Sequence, residues 1–242
     1  MPLTDMKINL GGNVVPLPEG FEDYIDINRA AVVELDMHGG HLDPEPDGPS
    51  PSVRGRTIIQ DVNRFNDACR ELGVPIVHIV NTYRKGDFEG VESCWRRVTE
   101  GHFSMLPDDM HGPTKQFANL GLEDTKWSTL VVENKPGDIV VNTKKRVTAF
   151  ETTDLDIVMR SLGKDVMIIT GIMTNCCDLC SAYYANSKDY KIIFVFDMTR
   201  GSNPSDEDAA GRMVSEYLGL RTESEELLKE WRSQREVEKA NA

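Results

Sequence analysis

The chain has 242 residues, 28% of them charged and 39% hydrophobic, which suits one α/β domain or two small ones with a real buried core. No apolar run approaches the roughly 18 residues of a membrane span, and Met1-Pro2-Leu3-Thr4-Asp5 lacks the basic start and apolar stretch of a signal peptide. A net charge of −13 repels phosphate backbones and anionic membrane surfaces, so neither nucleic acid nor a membrane is expected as partner.

Residues 1–29, rich in Gly, Pro and acid, read as an irregular arm. The apolar run from Ala30 to Leu35, closed by Asp36, predicts a buried strand. Pro44, Pro46, Gly48, Pro49 and Pro51 enforce a loop. The spacing of Ile58, Ile59, Val62, Phe65, Cys69 and Leu72 predicts a helix over 54–72 with Gly73 at its end. Val74–Val80 reads as a second strand. Residues 82–125 hold Trp95, Arg96, Arg97, His102 and His111 with little periodicity, the mark of a functional loop in a compact domain.

Further strands are expected at Thr129–Val132, Asp138–Val141, Val166–Thr170 and Ile192–Asp197. Helices are expected at Thr153–Leu162, Thr174–Ser187 and Ser205–Leu218, the last with Ser205 and Asp208 spaced as a capping box. Residues 222–242 form a charged helix carrying Leu227, Leu228 and Trp231, packed on its own domain or on a second copy. Alternating helices and continuously apolar strands predict an α/β fold. We expect one doubly wound, Rossmann-like, three-layer domain over 1–242, its mainly parallel sheet covered by helices on both faces.

Five cysteines, three of them crowded at Cys176, Cys177 and Cys180, are a poor disulfide framework and fit a reduced, cytoplasmic thiol set. Thr170-Gly171-Ile172-Met173-Thr174-Asn175-Cys176-Cys177 follows a buried strand and opens a helix. There the helix dipole favours thiolate, and backbone N–H groups face an incoming anion. Cys177-Asp178-Leu179-Cys180 also spells a Cys-x-x-Cys redox pair. Asp36 ends a strand, and in doubly wound sheets ligands collect at the carboxyl ends of strands. A carboxylate can accept a thiol proton but repels the thiolate, so a cation is needed beside it. Lys144 can supply that charge.

These residues stand in the order and at the spacing of a known group. The chain resembles the isochorismatase-like cysteine hydrolase superfamily, which includes nicotinamidases, N-carbamoylsarcosine amidohydrolase, biuret hydrolase and ureidoacrylate amidohydrolase. The resemblance covers about residues 28–220 and rests on three anchors. The first is the strand ending in Asp36-Met37, with His38 where the family usually has Gln. The second is Lys144-Lys145-Arg146-Val147-Thr148-Ala149-Phe150, similar to Lys-x-x-x-Ser-Ala-Phe and selecting Lys144. The third is Thr-Gly-x-x-Thr-Asn-x-Cys, selecting Cys177.

The resemblance implies a catalytic set of Asp36, Lys144 and Cys177. It also implies a non-proline cis peptide at Ile172–Met173 and an oxyanion hole from the N–H groups of Met173 and Cys177. It implies a small carboxamide, carbamoyl or ureide substrate, no cofactor, and a homodimer or homotetramer. Some members bind zinc through Asp-x-His after the second strand; Val80-Asn81-Thr82-Tyr83-Arg84-Lys85 lacks that motif, so no metal is expected. His38, Glu34, Trp95, Arg96 and His102 are candidate substrate-binding residues. His38 is expected in the family's glutamine role and His41 as a shaper of the loop. Glu34 stands open between tuning Asp36, binding a polar substrate and pairing with a buried cation. Two rival classes are a metal-dependent hydrolase using His38, His41 and Asp43, and a non-catalytic small-molecule-binding protein of the same fold.

Overall fold

The computed structural model describes residues 5–44, 49–87 and 119–241. Strands β3 (Ala30–Leu35), β4 (Ile76–Asn81) and β6 (Val166–Ile172) are buried at every position, as strands covered on both faces must be. With β5 (Ile139–Lys144), β7 (Lys191–Arg200) and β8 (Leu220–Thr222) they run parallel, in the order β8-β7-β6-β3-β4-β5.

The chain winds one way from β3 through β4 to β5, then returns to place β6 on the other side of β3. The order therefore reverses between β3 and β6. At such a switch point the loops leaving the strands part and open a crevice at their carboxyl ends.

Alternation along the strands builds one core on each face. Val32, Ile168 and Ile193 pack with Val62, Phe65 and Cys69 of helix α2 (Ile59–Glu71) and with Leu227 and Trp231 of the last helix. Val33, Ile169 and Phe194 pack on the other side with Leu155 and Met159 of α3 (Leu155–Ser161), and with Ala182 of α4 (Leu179–Asn186). Where β6 passes β3, Gly171 has φ +110°, and a Cβ there would lie 2.2 Å from the Leu35 carbonyl oxygen, so the position requires glycine.

Four expectations change. The N-terminal arm contains a hairpin, β1 (Lys7–Leu10) and β2 (Asn13–Pro16), which adds antiparallel to β8 and extends the sheet to eight strands. Thr129–Val132 is no strand: Leu130 makes an isolated bridge to His38, with Gly39 N–H on the Thr129 carbonyl and Val131 N–H on the Met37 carbonyl. The helix expected from Ser205 begins as α5 at Pro204–Met213, capped by the Asn203 side chain accepting from Asp206 N–H, so Ser205 is not the cap. The tail helix α6 (Ser224–Asn241) lies on its own chain: Trp231 is fully buried and donates to the Ile25 carbonyl at 3.0 Å.

Candidate active site

Three strand ends deliver three side chains to the switch point. Asp36 leaves β3 in the left-handed region, φ +57°, a conformation that aspartate tolerates better than most residues. This turn breaks the strand alternation and puts the carboxylate into the crevice, fully buried. Lys144 is the last residue of β5 and is 1% exposed. Its Nζ lies 2.7 Å from Asp36 Oδ2, 3.0 Å from Asn81 Oδ1 and 3.5 Å from Cys177 Sγ. Asn81 ends β4 and faces Lys144 in register. Cys177, half-buried, sits in a wide helical turn (Thr174–Asp178) that follows β6 through Met173 and leads into α4. The Ile172–Met173 peptide is cis.

The electrostatics follow from that geometry. Burial alone would raise the Asp36 pKa, but the Lys144 ammonium outweighs it and holds the carboxyl below its usual value. Burial likewise opposes the Lys144 charge, and Asp36 more than restores it, so the ammonium persists. Contact with the Cys176 thiol, burial and the Asp36 charge push Cys177 well above an ordinary thiol, against the pull of Lys144. The resting trio is thus a carboxylate and an ammonium in contact beside a protonated thiol.

Other candidates separate from this group. Glu34 does not enter the crevice: His78 Nδ1 stands 2.8 Å from its Oε1 and the Asn66 amide donates to its Oε2, which leaves the cation-pairing reading and corrects the substrate-binding one. His38 is buried one turn from Asp36, its Nδ1 2.7 Å from the Trp127 carbonyl oxygen. His41 Nδ1 stands 3.1 Å from the Ser50 carbonyl oxygen. Trp95, Arg96 and His102 lie outside the described residues.

The rival metal set does not assemble. The Asp43 carboxylate lies 3.3 Å from Lys126 Nζ, and among the described residues no group of three His, Cys, Asp or Glu is placed to hold a metal ion. At the position of the zinc motif, Asn81 is instead bound to Lys144, so this chain's residues do not fit that group.

Two residues escape a reading of the sequence. Asn81 carries the same signal as Asp36, a polar residue closing an apolar strand. Asp178, directly after the candidate nucleophile, is fully buried with neither carboxyl oxygen partnered. Burial and the charge of Asp36 push its pKa well above the usual carboxylate range. On the outer side, Asn175 Oδ1 accepts Ser202 N–H at 3.1 Å, and Glu207 accepts from Arg54 at 2.7 Å and from Gly201 N–H at 2.8 Å. These bonds tie the 199–203 segment and the Pro-rich loop to the turn that carries Cys177.

Known proteins share this arrangement of elements. A cysteine hydrolase from Pseudomonas syringae pv. phaseolicola superposes with a TM-score of 0.71 at 19% identity, covering 86% of this chain and 94% of that one. Nicotinamidase from Bacillus subtilis superposes at 0.61 and 16% identity, covering 81% and 99%. In sequence, the chain is 29% identical to an N-carbamoylsarcosine amidase from Arthrobacter sp over 60% of this chain and 49% of that protein. It is 30% identical to isochorismatase from Bacillus subtilis over 71% and 48%. It is 26% identical to a ureidoacrylate amidohydrolase from Methylorubrum extorquens over 80% and 79%. The alignments thus span about half the length of the first two relatives. With residues 30–226 matching the Isochorismatase domain, the chain belongs to the isochorismatase family.

Proposed function

We propose that this protein is a cysteine-dependent amidohydrolase acting on a small carboxamide, carbamoyl or ureide compound. The observation that carries the reading is the position of Lys144 Nζ, 2.7 Å from Asp36 and 3.5 Å from Cys177. One cation there keeps a base ionised and stabilises the thiolate formed when that base takes the thiol proton. The amidase and amidohydrolase named among the relatives act on substrates of the same class by their titles.

In this scheme Asp36 removes the proton of Cys177 as sulfur attacks the carbonyl carbon. The N–H groups of Met173 and Cys177 bind the oxyanion; loss of one such donor costs about 3–4 kcal/mol in comparable sites. The tetrahedral adduct collapses, the C–N bond breaks, and protonated Asp36 gives its proton to the departing nitrogen, leaving a thioester. Asp36 then takes a proton from water as it attacks the thioester, and the acid and the thiol are released.

The test is ammonia release from nicotinamide, maleamate, N-carbamoyl amino acids, biuret and ureidoacrylate analogues without added metal, wild type beside Cys177→Ala. Release by the wild type and loss in the variant is the expected result. An active Cys177→Ala enzyme would overturn the scheme.

A further inference from the structure

Two imidazoles beside Asp36 have no part in that scheme, and their hydrogen bonds fix what each can do. His38 Nδ1 is 2.7 Å from the Trp127 carbonyl oxygen. A carbonyl accepts and never donates, so Nδ1 carries the ring proton and Nε2 is a bare lone pair. The Gly40 N–H also lies near that Nδ1, at 3.2 Å, but the shorter carbonyl contact decides the tautomer. His38 Nε2 is buried and meets no partner among the described residues.

The same logic applies to His41, whose Nδ1 is 3.1 Å from the Ser50 carbonyl oxygen and whose Nε2 is therefore also an acceptor. The two rings lie 5.0 Å apart between centroids, and both interact electrostatically with Asp36. Burial keeps both rings neutral, with His41 brought down to about 4. Asp36 Oδ1 is a further buried acceptor without a partner.

The site thus gathers acceptors and lacks donors. An unpaired buried acceptor costs about 1–3 kcal/mol, so such a cluster is built for something that brings hydrogens. An –NH2 group presents two N–H bonds from one atom, and in the scheme above the nitrogen that leaves must lie beside Asp36. A glutamine at position 38 would offer both a donor and an acceptor. Histidine with Nδ1 tied to a carbonyl offers an acceptor alone.

We infer that His38 Nε2 and His41 Nε2, with Asp36 Oδ1, form an N–H-accepting subsite that selects an unsubstituted –C(=O)–NH2 terminus over N-alkylated amides. The inference rests on the amidohydrolase reading and deepens it by naming the end of the substrate that is recognised. His38 and His41 act here as specificity-determining residues.

The test uses Cys177→Ala protein labelled with 15N in histidine, so that turnover is not required. Probes are matched pairs: N-carbamoylglycine, nicotinamide and maleamate, each beside its N-methyl amide counterpart. In the free protein, both rings are expected to show protonated Nδ1 and bare Nε2. An –NH2 probe should move both Nε2 signals and bind at least about tenfold tighter than its methylated partner, one hydrogen bond being worth about that factor. His38→Leu should erase the discrimination, and His38→Gln, which keeps an acceptor, should retain part of it.

A protonated Nε2 in the free protein, equal affinity within every pair, or no movement of either Nε2 signal with any probe overturns the inference. Failure of the amidohydrolase reading shows separately, as wild-type protein that releases no ammonia or Cys177→Ala protein that does.

Discussion

Glu34 and His78 are register partners on adjacent strands, and the buried imidazole Nδ1 stands 2.8 Å from the carboxylate Oε1. Asp138 lies 3.4 Å from the other ring nitrogen and is held in turn by Arg70 at 2.7 Å. Burial opposes a charge on His78, but the hydrogen bonds and charges of Glu34 and Asp138 outweigh it and raise its pKa above 6.5. This polar layer crosses β3 and β4 and meets β5 at its start, two to six residues before those strands deliver Asp36, Asn81 and Lys144.

The sign of the resulting pH dependence is fixed. A histidine whose pKa is higher folded than unfolded binds more protons in the folded state, so its stabilisation is full below about pH 6.5 and is lost as pH rises through the folded value. Urea unfolding should therefore show wild-type stability falling between about pH 6 and about pH 9, with a flatter profile for His78→Gln. His78→Leu leaves Glu34 buried without its cation and should cost about 3–5 kcal/mol, part of it recovered by adding Glu34→Leu. A flat wild-type profile would count against a charged His78.

Lys144→Met tests the electrostatics of the crevice. Asp36 is held below the usual carboxylate range chiefly by Lys144 against burial, so activity in the wild type should persist to acid pH and fall only through that depressed value. Without the ammonium, burial and the neighbouring Cys177 act unopposed. The acid limb of kcat/KM should move up by at least about one pH unit and alkylation of Cys177 by iodoacetamide should require higher pH. An alkylation profile identical to the wild type would remove Lys144 from thiol activation.

Much of this was legible in the chain because the signals are local. Continuous apolar runs closed by Asp36 and by Gly171 mark parallel strands and their ends, and the spacing from Ala149-Phe150 separates Lys144 from Lys145. The hairpin of the N-terminal arm was not legible, since its strands are four residues each and largely exposed, and acquire strand form by pairing with β8. Thr129–Val132 reads as a strand on β-branched content alone, yet pairs at one position only. Glu34 shows the limit most clearly: an acid two residues before Asp36 suggests the site, but its partners His78 and Asn66 come from elements that no local pattern connects to it.

Asp178 is a stability liability beside the candidate nucleophile. Both its carboxyl oxygens are buried without a partner, and burial followed by the Asp36 charge favours its neutral form. An acid whose folded pKa is raised subtracts stability as pH climbs from about 4 towards the folded value. Asp178→Val removes the unpaired group at similar volume and should raise stability at neutral pH by about 1–3 kcal/mol, with Asp178→Asn intermediate. Calorimetric melts at about pH 5 and about pH 8 should show the gain larger at the higher pH. A destabilised Asp178→Val protein would mean that the carboxyl group holds a bond the fold needs.

The C-terminal helix depends on Trp231. The indole is fully buried between α6 and the sheet face that carries α2, its Nε1 donates to the Ile25 carbonyl, and Gln234 and Arg235 add bonds to the Ile25 and Leu72 carbonyls. Most of the helix beyond Leu227, Leu228 and Trp231 is exposed or half-buried, so its docking rests on this one aromatic anchor. Trp231→Ala should cost about 3–5 kcal/mol from cavity formation and lost transfer energy. For a chain of this size that lowers the melting temperature by roughly 10 °C or more. Trp231→Phe keeps most of the packing, gives up the hydrogen bond and should cost about 1–2 kcal/mol. Since α6 lies far along the chain from the three strand ends of the crevice, both variants should keep the wild-type kcat at temperatures well below their melts. A kcat that falls in step with the loss of stability would instead tie the docking of α6 to the geometry of Asp36 and Cys177.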